Sequence, residues 1–277
     1  MRKTGPIVLV SVVVVIAAGV VILSGGKFVW PWAGDSTPES DPCPIPKTVA
    51  SDPTPAAPGV QVVDRGFTQA DNGQLSVGVV VANTSDKVAY RTRLTFQLYD
   101  EGHTQIPQTG IVEAVIPILV PGQKAGLGFS NAQSSPKAAS VDVHVGSTTW
   151  LPALPGFTPV TGTYTRTRQV SPDPTPLIVL DYHEKSTNCR QLSSAQVGVV
   201  LRDADGHIVG GDLLESATGI AVYDERTRTM THEPPPSTPR CGPGERDMWV
   251  VPTTGRVPAM VDTRTEIYPF CDVQAPV

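Results

Sequence analysis

An all-β chain carrying two related sandwich domains is what this sequence of 277 residues predicts, on three observations. Beyond an apolar start, short Val- and Thr-rich runs alternate with turn residues, and 28 Pro and 25 Gly leave no long Leu/Ala/Glu/Lys stretch for a helix. Within those runs apolar side chains recur at every second position, the period of a strand with one face buried. The second half then restates the pattern of the first. Roughly 250 residues lie beyond the apolar start, enough for two modest domains with a core each.

Residues 7–23 read IVLVSVVVVIAAGVVIL with no charge. A helix needs about 20 apolar residues to cross a bilayer, so 7–26 is predicted as a transmembrane helix. Arg2 and Lys3 precede it. By the positive-inside bias residues 1–6 stay cytoplasmic and the domains lie outside, on a single-pass protein of the cell membrane. Phe28, Trp30 and Trp32 follow where an interfacial aromatic belt would sit. A cleaved signal peptide shares the basic start and places the chain on the same side, but its apolar core spans about 7 to 15 residues, which favours the uncleaved anchor. Residues 27–59 form a Pro-rich tether, whose 33–59 stretch reads AGDSTPESDPCPIPKTVASDPTPAAPG. Such a segment extends by about 3 Å per residue and would hold the domains off the bilayer.

The first domain is expected over 60–150. Residues 74–83, QLSVGVVVAN, place Leu75, Val77, Val79 and Val81 on one face, and the polar turn TSDK follows. In AYRTRLTFQLYD, 89–100, Leu94, Phe96 and Leu98 oppose Arg93, Thr95 and Gln97, and Asp100, Glu101 and Gly102 supply turn chemistry. Residues 111–120, 124–130 and 141–145 are further strands. A linker, 151–160, reads LPALPGFTPV and leads to the second domain, 161–277. There QVGVVLRDADGH, 196–207, aligns with LTFQLYDEGH, 94–103; Pro243-Gly244 matches Pro121-Gly122, and Val261-Asp262 matches Val141-Asp142 as a last-strand anchor. The second domain differs by an inserted loop, 213–240. Its charges Asp224, Glu225, Arg226 and Arg228 make it the candidate recognition surface.

Phe96, Leu98, Tyr99 and Asp100, within Phe96-Gln97-Leu98-Tyr99-Asp100, spell the motif of the FxLYD family, and the Pro121-Gly122 step resembles that family's proline-glycine turn. The likeness spans about residues 77–129; in the second domain Val199 and Arg202 replace the Phe and Tyr, and only Leu201 and Asp203 keep the motif. The resemblance implies small immunoglobulin-like β domains of bacterial and archaeal envelope proteins. It implies no catalytic residue, since the motif describes a strand and its hairpin exit.

A net charge of -5 and pI near 5.5 provide no basic field for nucleic acid. Cys43, Cys189, Cys241 and Cys271 contain no C-x-x-C pair, which removes a zinc ribbon and a thioredoxin-like site. On the oxidising side of a membrane they suit disulfides, and strands running alternately up and down bring the last three to one pole. One bridge is expected inside the second domain and one from Cys43 to the cysteine left over, with a free or intermolecular Cys43 as the alternative. Nucleophile-elbow, Walker, H-E-x-x-H and dinucleotide motifs are missing. Asp181 and His183 share a strand face without a third ligand, and the Asp203-Ala204-Asp205-Gly206 run reads as a hairpin turn rather than a calcium loop. Asn83-Thr84-Ser85 is a glycosylation sequon by pattern and a turn by context. The expectation is therefore a non-catalytic binding or scaffold protein of the envelope, without cofactor or metal, whose partner is an envelope protein or wall component. The alternative is an accessory subunit of a transport or secretion complex, its anchor packing through Ala17, Ala18 and Gly19.

Overall fold

The structure, a computed structural model, describes residues 43–50, 52–106, 113–133, 137–169, 177–215, 220–224, 229–234, 239–253 and 256–274. The expected anchor at 7–26, its cytoplasmic flank, the tether up to residue 42 and the insertion's Glu225, Arg226 and Arg228 lie outside the described residues. No helix of the described residues is long and apolar enough to cross a membrane. Those residues are all-β apart from one 3-10 turn at Asp262–Arg264.

Eight strands make the first half: β1 (Thr54–Pro55), β2 (Val60–Gln69), β3 (Gln74–Asn83), β4 (Val88–Tyr99), β5 (Glu113–Leu119), β6 (Lys124–Gln133), β7 (Ser140–Val145) and β8 (Ser147–Leu151). β3 lies between β2 and β6; in a second sheet β4 pairs β5 on one side and β7 and β8 on the other, with β1 added outside β8, all antiparallel. The alternation in the sequence becomes one core. Leu75, Val77, Val79 and Val81 of β3 meet Leu94, Phe96 and Leu98 of β4, all fully buried. Removing this apolar surface from water is the main force holding the two sheets together.

The second half comprises β9 (Thr161–Gln169), β10 (Ile178–Ser186), β11 (Ser193–Arg202), β12 (Ile208–Leu214), β13 (Ile220–Asp224), β14 (Thr229–Glu233), β15 (Gly244–Val250) and β16 (Glu266–Asp272). Its pairings repeat the first half: β10 lies between β9 and β15, and β11 between β12 and β16. One bridge, Ile267 to Gly162, joins these groups into a six-stranded sheet around a second core containing Leu180, Tyr182, Val197, Val199 and Leu201.

Two of the expected repeat anchors shift. The Asp100 N–H bonds the Thr104 carbonyl at 3.0 Å, and the Asp203 N–H bonds the His207 carbonyl at 3.0 Å, so these turns are equivalent. The left-handed position is His103 in one (φ 61°) and Gly206 in the other (φ 91°), which puts the two Gly-His pairs one residue out of register. Val261-Asp262 lies at the 3-10 turn rather than in the last strand. Val143 opposite Phe96 corresponds instead to Ile267 opposite Val199. The expected loop 213–240 begins inside β12 and contains the hairpin β13–β14.

The halves pack sheet on sheet. β3 is buried on both faces, because its outer side meets the outer side of β11 and β12. Glycines make this approach possible: a Cβ on Gly78 would strike the Gly210 carbonyl, one on Gly198 the Gly126 carbonyl, and one on Gly128 the backbone of Gly211. The tether also differs from an extended strut. From Cys43 onward it lies on the body: Cys43 bonds Cys189, Ile45 is buried, the Arg190 guanidinium donates to the Pro46 carbonyl at 2.8 Å, and Thr54 pairs Thr148. The linker covers it, with Gly156 (φ 70°) against Pro44 and Leu154 and Val160 buried in a third core beside Ile45, Tyr90 and the Cys241–Cys271 bridge.

Candidate functional site

Between β5 and β6 of the first half and β11 and β12 of the second lies a cleft. Among the described residues β5 pairs only with β4, so its other side is a sheet edge, a position that tolerates its Pro117. The cleft has a volume of ≈ 600 Å³ and is lined by Ala114, Val115, Phe129 and Leu213 with Glu113, Gln196 and Asp212 among its polar groups. Phe96, the first residue of the FxLYD-like motif, forms part of the floor and packs edge-on to Phe129 at 5.1 Å between ring centres. Val115, one of the few large exposed apolar side chains among the described residues, also borders a second depression of ≈ 310 Å³ over Arg91, Arg93, Ser193 and Asp272.

A buried carboxylate fastens the wall of the cleft, and another fastens the neighbouring depression. Asp212, buried on β12, accepts the Ser130 hydroxyl at 2.7 Å and the Thr253 N–H and hydroxyl at 2.8 and 2.9 Å, while its other oxygen accepts the Leu213 N–H. In the second depression Asp272 accepts the Tyr90 hydroxyl at 3.0 Å and Arg91 Nε and Nη2 at 3.2 and 3.1 Å. Burial, reinforced by Asp272, pushes the Tyr90 pKa up, which keeps that hydroxyl a neutral donor. Arg91 has φ 53°, unusual for a residue with a side chain, and falls between the register pairs Tyr90–Ile118 and Thr92–Ile116. Its cost is offset by the charged hydrogen bonds to Asp272. A third tie explains a departure from the motif. Arg202 stands where the first half has Tyr99, and reaches Asp64 of β2 and Glu266 at 2.5 Å each.

The predicted site residues are distributed as follows. Phe96 and Leu98 point into the first core; the Tyr99 hydroxyl donates to Gln97 at 2.8 Å, and the Asp100 carboxylate accepts the Thr104 N–H at 2.8 Å. The cysteines pair Cys43–Cys189 and Cys241–Cys271. Asp224 ends β13, and its loop companions lie outside the described residues. Asp181 and His183 do not meet a common centre. Asp181 binds Arg166 and Arg168 at 2.6 and 2.8 Å, while His183 lies between Asp247 and Glu245 at 3.0 and 3.5 Å. Asp203, Asp205 and His207 bring ligand atoms within 4.8 Å of one another, yet one Asp203 oxygen already accepts the Asp205 and His207 N–H groups of its own turn. Asn83 is buried, with its amide and carbonyl both spent on the 83–87 turn and the Leu119 carbonyl.

Sequence reasoning missed the cleft, because none of its walls is contiguous in the chain. The one available signal was the glycine pattern, with Gly78, Gly126, Gly128, Gly198, Gly210 and Gly211 emptying outward strand positions. Comparisons with known protein families, curated proteins and solved structures return no match.

Proposed function

We propose that this chain is a membrane-anchored, extracytoplasmic binding or scaffold protein of the bacterial cell envelope, and that it holds an extended segment of a partner envelope protein along β5. In this reading the halves are two immunoglobulin-like domains of the FxLYD type, the anchor at 7–26 keeps them at the membrane, and no catalysis takes place. The observation that carries it is the cleft at the Glu113–Val115 end of the β5 edge, walled by Asp212, with the exposed Val115 shared with the neighbouring depression over Asp272. An edge offers backbone donors and acceptors to an added strand, and apolar pockets beside it select side chains. A preformed groove loses little freedom on binding, which favours affinity.

The test places a photo-crosslinking amino acid at Val115 in the full-length protein, in intact cells, with the exposed Asp86 as a control position. The expected result is a discrete adduct from Val115, and a matching adduct from the same probe at Glu113 that Val115→Glu suppresses. Equal labelling from Val115 and Asp86, or none from the cleft, overturns the reading. The accessory-subunit alternative rests on Ala17, Ala18 and Gly19. Replacing them with Leu would remove partners in that case and leave the cleft adduct intact in the first.

A further inference from the structure

Asp212 lies in the wall of the cleft beside β5 and is only 4% exposed. Its Oδ2 accepts three hydrogen bonds, from the Ser130 hydroxyl and from the N–H and hydroxyl of Thr253, and its Oδ1 accepts one, from the Leu213 N–H. All four donors are neutral. They occupy lone pairs and bring no charge, and among the described residues no Lys, Arg or His forms an ion pair with this carboxylate. The contrast lies next door, where Asp272 has the Arg91 guanidinium as its counter-ion at 3.1 Å. A buried carboxylate without a counter-charge is costly, and a cation entering the cleft would relieve that cost.

The rest of the lining has the same sign. Glu113 is its second acid, and the Arg93 partner of Glu113 is 3.5 Å away with both side chains more than half exposed, a pair of little strength. No Lys, Arg or His lines the cleft, whose other walls include the apolar Val115, Phe129 and Leu213. Apolar walls around a negative charge suit a side chain with an aliphatic stem and a cationic head. The hydrogen bonds choose the head. A guanidinium fork engages both oxygens of a carboxylate, whereas Oδ2 already has three donors; an ammonium needs only Oδ1. Backbone pairing along β5 is also short, because only Glu113 and Val115 of that strand are exposed and Pro117 has no N–H to offer. Selection therefore falls to a side chain.

We propose that the cleft takes a lysine side chain of the bound segment, its ammonium paired with Asp212 and its stem lying against Val115, Phe129 and Leu213. This rests on the strand-edge reading of the cleft and names the side chain that the edge selects.

The experiment selects random linear peptides against the full-length protein in detergent micelles and keeps those that a photo-crosslinking amino acid at Val115 labels. These peptides should share a lysine at one position. Replacing it with norleucine, which keeps the stem and removes the ammonium, should weaken binding to the wild type by about thirtyfold or more. On Asp212→Asn that penalty should largely vanish. A diazirine analogue of lysine at the same position should crosslink the wild type at Glu113, Gln196, Asp212 or Leu213. Equal binding of the norleucine peptide, or lysine adducts that map elsewhere, overturns the lysine assignment and leaves the strand-edge reading in place. Failure to obtain any peptide labelled from Val115 overturns both. The norleucine and diazirine measurements use the wild-type chain and hold even if Asp212→Asn fails to fold.

Discussion

His183 stands on the open face of β10 with Asp247 Oδ1 3.0 Å from Nδ1 and Glu245 Oε2 3.5 Å from Nε2, while Lys185 holds the other oxygen of Glu245 at 2.7 Å. The hydrogen bond to Asp247 foremost, with Glu245 behind it, raises the His183 pKa above its ordinary 6.5. The folded chain therefore holds this proton more tightly than the unfolded one. The resulting stability is complete below about pH 6.5 and is lost as pH rises through the raised value. Denaturation midpoints should fall between about pH 6 and pH 8 in low salt, and His183→Gln should flatten that slope. Because the site is exposed, added salt should shrink the effect. At this scale the inward places of Phe96 and Leu98 were legible from alternation alone. The ties of Asp212 and Arg202 were not, because their partners Ser130, Thr253 and Asp64 are distant in the chain and charge alone names no partner.

The strands follow the same division. β3 and β4 were readable from period 2, and the Asp100 and Asp203 turns from residues that bond their own backbone. The second burial of β3 was not, because Gly78 and Ser76 at its outward positions read as solvent-facing until the opposing sheet is present. Two glycine variants separate the roles. Gly78→Val would drive a side chain into the Gly210 carbonyl and the Ile208 side chain, and should destabilise the protein by about 3 kcal/mol or more in denaturant titrations. Gly122 has φ 75° and nothing within 4 Å of a Cβ, so Gly122→Ala should cost only about 1 kcal/mol of backbone strain. Similar losses from both would mean that the halves are not held by this close approach.

Across the whole molecule, the bridge from Cys43 to Cys189 spans 146 residues of sequence and draws the end of the tether onto the body. In the chain-entropy model a closed loop of that length removes about 5 kcal/mol of unfolded-state freedom. That is comparable with a domain's whole stability of about 5 to 15 kcal/mol. Cys43→Ser should therefore lower the unfolding midpoint of both halves together, and non-reducing peptide mapping should find Cys43 joined to Cys189. A midpoint unchanged by the substitution would show that Ile45 and the Arg190 contact hold the segment unaided.

By itself the sequence determined the strand class, the inward faces of β3 and β4 and the suitability of its four cysteines for disulfides. The faces follow from covalent geometry, because alternation sets which side chains of a strand lie together. Only the tertiary structure decided that Cys43 reaches Cys189, that glycines seat one half on the other, and that a cleft opens beside β5. Each depends on the fit of surfaces contributed by segments far apart in sequence. A glycine or a cysteine is compatible with many such fits, and close packing in three dimensions selects among them.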